Sequence, residues 1–487
     1  MRTSLTASHV LGHRNGSHVL FRDATVVYED DVIVHVGHGF KGAVDESIDL
    51  GHALLAPGLI DLDALTDIDH LLLDSWHSSE AAKGLTWSGD YFTNRRRDVF
   101  SPQERQTIRR YALVQLALHG ITTYMPIASE VHSAWAEDLP ELVGMAETSR
   151  ELGLRGYLGP AYRSGVNIID DDGVRTVLFD PPLGEAGLAD ALAFLDYADA
   201  LDDPLVTGVL LPCRIETLTP ELMRATAQAS AERNVLVRLH SLQGMAERDY
   251  LAEAHSSTPL QMMASAGLLN DRLLVPHGIL IDRHRSIFGE DRGDLATLAA
   301  AGVSVIHCPQ TSFRYGSVLD SFSVYKEAGI NLCLGTDSFP PDLVRGMDAG
   351  VHLAKLADRR SDSAPASDYF DAATLGGAAA LKRPDLGRLE PGAQADIVAF
   401  SLSDFRDGVI DDPLRTLLLN GTARNAVHSV VAGRTVMANG TLPGVDLPAL
   451  AAAAQPIFEK MRGAYSERDW RGRSAAELFP SSYPAAD

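Results

Sequence analysis

The chain has 487 residues, of which 45% are hydrophobic, enough for a large core and ordinary for a globular protein. Its 65 acidic residues outnumber 42 basic ones, a net charge of −23. That field repels nucleic acid and anionic membranes, so the expected partner is a neutral or cationic small molecule.

No run of about 18 apolar residues marks a membrane span. The opening MRTSLTASHVLGHRNG lacks the apolar centre of a secretory signal. Cys213, Cys308 and Cys333 are odd in number and far apart, with no CxxC pair. A reducing cytoplasm is therefore expected, with neither a disulfide framework nor structural zinc.

Residues 1–55 contain short alternating runs such as SHVLFRDATVVYE and DVIVHVGHG, broken by Asp and Gly, which predict small antiparallel strands. From residue 56 to 384, apolar runs (ALLAPGLIDL, VLVRLHSL, RLLVPHGIL, VSVIHCPQ, INLCLGTDS) alternate with Ala/Leu-rich helical stretches that end at Gly. Such alternation predicts a parallel α/β barrel or a doubly wound sheet. Residues 385–445 return to strands in ADIVAFSL, AVHSVVAG and RTVMANG, so the two β-rich ends are expected to meet in one small sandwich. Residues 446–487 predict a helical extension packed on the barrel or on a neighbouring subunit.

In an α/β barrel the reactive groups stand at the C-terminal ends of strands. Four apolar runs end in groups able to ligate a metal or move a proton: Asp63 after PGLI, His240 in VRLHSLQG, His277 in LLVPHG and Asp337 in LCLGTDS. Four such groups in chain order are hard to explain as core, where each would need a polar partner. Around them, the loop KGLTWSGDYFTNRRRD offers Trp87 and Tyr91 for stacking on a flat ring, beside a basic run Arg95–Arg97. Arg163 stands at a third-strand end as a clamp for a carboxylate, and His307 at a strand end as a pocket wall. His70 and His77 follow the first strand and read as one face of a helix. Cys308 has no low-pKa context that would make it a nucleophile.

These segments together resemble the amidohydrolase superfamily, in the branch holding cytosine and guanine deaminases and triazine hydrolases. PGLID at 57–61, His240, His277, VSVIHCPQTSFRYGS at 303–317, LGTDS with Asp337, GRLEPGAQADIVAF at 387–400 and VVAGRTV at 430–436 carry the likeness over nearly the whole chain. The resemblance implies a distorted (β/α)8 barrel with a small β-sandwich, one divalent metal, and a homodimer or homotetramer. It implies hydrolysis of a C–N bond, by deamination or amide cleavage, in a small neutral or cationic substrate of heterocyclic type.

Two positions depart from that pattern. The family's first strand carries His-x-His, and here those places hold Asp63 and Leu65. Alternate strand residues share a face, so both point into the site; an aspartate can ligate through oxygen and a leucine cannot. A glutamate three residues after the strand-five histidine shuttles protons in many relatives; here it is Gln243, an amide that cannot. The implied ligand set becomes Asp63, His240, Asp337 and His277, neutral overall and richer in hard oxygen. Such a set suits zinc, iron or manganese. Asp337 is then the base, and His277 holds the water or polarises the scissile centre. The alternatives keep the fold without the metal, as an acid–base enzyme of a non-hydrolytic reaction, or without catalysis.

Overall fold

The computed structural model describes residues 1–68, 78–127 and 132–484. Eight short strands build its centre in two four-stranded parallel sheets. The first contains Leu59–Leu65, Ile121–Ile127, Arg155–Leu158 and Val206–Gly208. The second contains Val237–Arg238, Leu273–Pro276, Ser304–His307 and Asn331–Leu334. Hereafter these are the first to eighth ring strands. They read as apolar runs because both faces are covered, as in parallel sheets generally.

Two seams join the sheets into a ring. Leu210 and Arg214 form isolated parallel bridges to Val237 and His240. At the other seam Asp337 N donates to the Asp63 carbonyl at 2.8 Å. Asp61, fully buried, accepts from Thr336 N at 3.0 Å and Thr336 Oγ1 at 2.6 Å, and so ties the first strand to the end of the eighth. The class is α/β as expected, with the strand order of a (β/α)8 barrel. The ladder among the described residues is interrupted at the seams and does not close.

Local sequence explains the covering helices. Pro102–Leu118 starts at a Ser101/Glu104 capping box with Pro at its first turn and buries Ile108, Leu113 and Leu116 against the first sheet. Leu139–Leu152 stops at Gly153, whose φ of 81° suits a left-handed helix end.

The two chain ends do meet, through antiparallel pairing of Ile397–Ser401 with Ala53–Pro57. The hydrogen bonds run through them as one eight-stranded mixed sheet. Leu5, Val26, Ile33, Leu55, Ile397 and Val430 share one buried cluster, so this sheet encloses its own core.

The extension forms a helix, Leu447–Arg468, that packs on the helix Pro102–Leu118 of the ring. Met461, Ala464 and Tyr465 enter a cluster with Leu65, Ile108 and Phe339. Lys460 pairs with Glu104 at 2.7 Å.

Candidate metal centre

A cavity of about 860 Å³ opens at the C-terminal ends of the ring strands, within the size range of small-molecule sites. His240, His277, Asp337, Gln243 and Trp87 line it, as does Leu65. One ligand atom each from Asp63, His240 and His277 lies within 4.8 Å of the others, and all three residues are buried. Asp337 stands beside this trio, its Oδ2 3.8 Å from His277 Nε2. Leu242, His277 and Asp337 all have left-handed backbones, with φ of 60°, 71° and 37°. Strain of this kind persists where the surrounding structure fixes a functional geometry.

The chemistry of the trio fits a cation. His240 Nδ1 faces the Cys213 carbonyl at 2.9 Å, which fixes its proton there and turns Nε2 toward Asp63 Oδ2 at 3.3 Å. Burial lowers the His240 pKa more than Asp63 raises it, so the ring is neutral at neutral pH. Its Nε2 and the carboxylate oxygen are then two acceptors facing each other. His240 Nε2 and both His277 nitrogens are buried without a hydrogen-bond partner, and buried polar atoms left so call for an ion, a water or a catalytic role. Burial, with His240 next to it, also holds the His277 pKa well below the usual range, leaving its lone pairs available. Burial works to raise the Asp63 pKa, yet the pKa is lowered, and the fixed charge of Arg238 helps to keep the carboxylate ionised.

Two inward charges were missed in the sequence. Asp61 lies two residues before Asp63, accepts from Asp63 N at 3.2 Å, and is pushed up to about 7 by burial. Arg238 lies two residues before His240, only 2% exposed, with Nη1 3.1 Å from Asp63 Oδ1. The signal was present in VRLHSL, because alternate residues of a strand share a face.

The remaining candidates divide. Gln243 is held by a hydrogen bond from Arg214 Nη1. Its backbone N–H and that of Leu242 donate to Glu247, as does Ser241 Oγ, so Glu247 shapes this loop. Burial and nearby Glu216 push the Glu247 pKa up to about 7. Glu216, also lining the cavity, accepts from Asn167 at 3.0 Å through Oε1, while its buried Oε2 has no partner.

Tyr91, Arg163 and His307 are buried but absent from the cavity lining. Tyr91 packs edge-on to Trp87, and the Arg163 guanidinium lies 5.3 Å over Trp87 and over Trp135, so both stand behind Trp87 as its support. His307 packs beside the stacked rings of Phe322 and Tyr369, and burial lowers its pKa to about 3. Arg95, Arg96 and Arg97 pair with Asp90, Asp180 and Glu467. Cys308 donates its thiol to Asp63 Oδ2 at 3.6 Å; burial and three carboxylates keep it protonated, which suits no nucleophile. Tyr465 of the C-terminal helix also lines the cavity, a position no local pattern foretells. His70 and His77 lie outside the described residues. No helix among the described residues is long and apolar enough to cross a membrane.

The comparisons with known proteins agree with this geometry. The sequence model of the Amidohydrolase family matches residues 54–436. The 5-methylthioadenosine/S-adenosylhomocysteine deaminase of Pyrococcus horikoshii is 25% identical over 434 residues, 87% of this chain and 92% of that protein. The 8-oxoguanine deaminase of Pseudomonas aeruginosa is 28% identical over 357 residues, 72% of this chain and 76% of that one. The zinc complex of atrazine chlorohydrolase from Arthrobacter aurescens shares the fold, with a TM-score of 0.78 at 21% identity over 93% of this chain and 99% of that chain. With the family match spanning both the ring and the returning strands, the chain belongs to the amidohydrolase family.

Proposed function

We propose that the protein hydrolyses a C–N bond, by deamination or amide cleavage, in a small neutral or cationic heterocycle. The observation that carries this reading is the buried Asp63–His240–His277 trio, two of whose members, His240 and His277, line the cavity. Kinship with deaminases of purine-type rings supports the substrate class.

Asp63, His240 and His277 would hold a divalent cation, and three protein donors are enough for a catalytic zinc site. Bound there, the cation would supply Lewis acidity and make water easier to ionise. Asp337, adjacent to His277, is the carboxylate placed to accept a proton from water. Gln243 holds its loop and can donate an amide N–H, and it moves no proton. The unpartnered Glu216 oxygen gives a substrate N–H an acceptor, and Trp87, braced by Tyr91 and Arg163, is a stacking wall. We read the ring as the family's (β/α)8 barrel opened at its two seams.

The test is ammonia release from a panel of aminopurines, aminopyrimidines and aminotriazines, with metal content measured on the same samples. Turnover should vanish after chelation and return with zinc, iron or manganese. Full turnover after exhaustive metal removal would overturn the proposal in favour of metal-free acid–base chemistry.

A further inference from the structure

The Asp63 carboxylate already has a cation. Arg238 projects from the fifth ring strand on the same face as His240, and its Nη1 lies 3.1 Å from Asp63 Oδ1. The only other contacts of that nitrogen among the described residues are the Leu62 carbonyl at 3.5 Å and the Met125 carbonyl at 3.4 Å, both long, and Nε has no partner. Asp63 is therefore the main anion for a guanidinium that is buried and cannot shed its proton. The two oxygens of Asp63 are divided: Oδ1 faces Arg238, and Oδ2 faces His240 Nε2.

We propose that Arg238 is the resident cation of this centre, neutralising Asp63 when no metal is present and competing for it when one is. The consequence is a site that stays intact without metal and takes it up weakly and exchangeably. A fixed positive charge sharing the same carboxylate repels a divalent ion across a buried, weakly screened space. It also withdraws half of the single carboxylate in the trio. Leu65 offers nothing in return, since its side chain joins the cluster of Phe339 and Met461. An arginine that only oriented Asp63 as an outer support would have the opposite effect, because removing such support weakens metal binding about 10–100-fold.

The proposal rests on reading Asp63, His240 and His277 as ligands, and its test uses zinc alone without any substrate. Zinc affinity is measured calorimetrically on chelator-treated full-length protein. Thermal melts with and without zinc accompany it. Arg238→Met removes the charge and keeps the stem. Arg238→Gln also removes the charge but keeps an N–H for the Leu62 and Met125 carbonyls, in case the first variant does not fold. Both discharged variants should bind one zinc at least tenfold more tightly than the parent, and zinc should raise their Tm more than the parent's. Arg238→Lys, which keeps the charge, should stay within about threefold of the parent. A folded discharged variant that binds zinc no tighter than the parent, or more weakly, overturns the role of Arg238. Absence of stoichiometric zinc in every form overturns the ligand reading itself, a different and separable result.

Discussion

His132 and His240 are both buried and both lie close to an aspartate, yet they differ in charge. His132 lies with Nδ1 3.0 Å from Asp67 and Nε2 3.2 Å from Glu141. Burial lowers its pKa, but Glu141 and Asp67 more than compensate and lift it to about 9. His240 lies 3.3 Å from Asp63, yet burial wins there, because Asp63 is shared with Arg238 and a second arginine, Arg214, also opposes protonation. One histidine is a cationic brace, and the other is neutral. Only a neutral imidazole can ligate a metal. The identity of the contact, His to Asp, decides nothing; the count of charges around it does.

The largest effects should come from cutting the two histidine sites separately. Asp337→Asn should lower kcat/KM by about 10²–10⁴-fold, the usual worth of a proton-transferring group, with metal content unchanged. His240→Ala should remove metal and turnover together. His132→Gln should leave metal content at the parent level. Elemental analysis beside kinetics checks all three, and metal loss in His132→Gln would erase the contrast.

A second cation, Arg109, serves the same carboxylate as His132. Arg109 donates to the Thr66 carbonyl at 2.7 Å, to Glu137 at 2.5 Å and to Glu141 at 2.7 Å. Arg109→Met strands two buried carboxylates and should cost about 3–5 kcal/mol in urea unfolding, as broken buried ion pairs do. Stoichiometric zinc binding by the folded fraction should persist.

The sign of the pH dependence follows from the same brace. The folded pKa of His132, about 9, lies above the ordinary 6.5. Its contribution to stability is therefore complete below about 6.5 and fades as pH rises through about 9. Melting temperature should fall between pH 7 and 9.5, and His132→Gln should flatten that slope. An unchanged slope in the variant would mean that His132 is neutral after all.

Much of the ring was legible because parallel strands buried on both faces leave apolar runs, and the groups at their ends stand out against them. Asp63, His240 and His277 were visible for that reason, and the structure brings those three together. Arg238 and Asp61 lie in the same runs, two residues before His240 and Asp63, on the inward face one step short of the strand ends, where the apolar pattern gives a charge no emphasis. Tyr465 and the support of Trp87 by Arg163 could not be read locally. Both depend on segments far apart in sequence, and the second on aromatic and cationic groups that pack behind the wall. The net charge of −23 was equally silent about Arg238, since a surface sum carries no information on which charge is buried where.

The smallest predicted effect concerns how Asp63 is placed. Gly335, just past the eighth ring strand, runs so close to the first that a Cβ there would lie 2.4 Å from Asp63 Cβ and 3.0 Å from Asp63 N. Those atoms belong to a strand pinned by Asp61 to Thr336, so Asp63 must yield by shifting along its whole segment. Gly335→Ala should cost about 1–3 kcal/mol, the range for overpacking a tight interior. Because Asp63 carries the pairing to Arg238 and Asp67 carries the pairing to His132, the variant should alter zinc affinity while leaving the alkaline fall in Tm as it was. If the alkaline slope changes as well, the two buried clusters are mechanically one unit through the first strand, and the different charge states of His132 and His240 are set jointly rather than by each one's own neighbours.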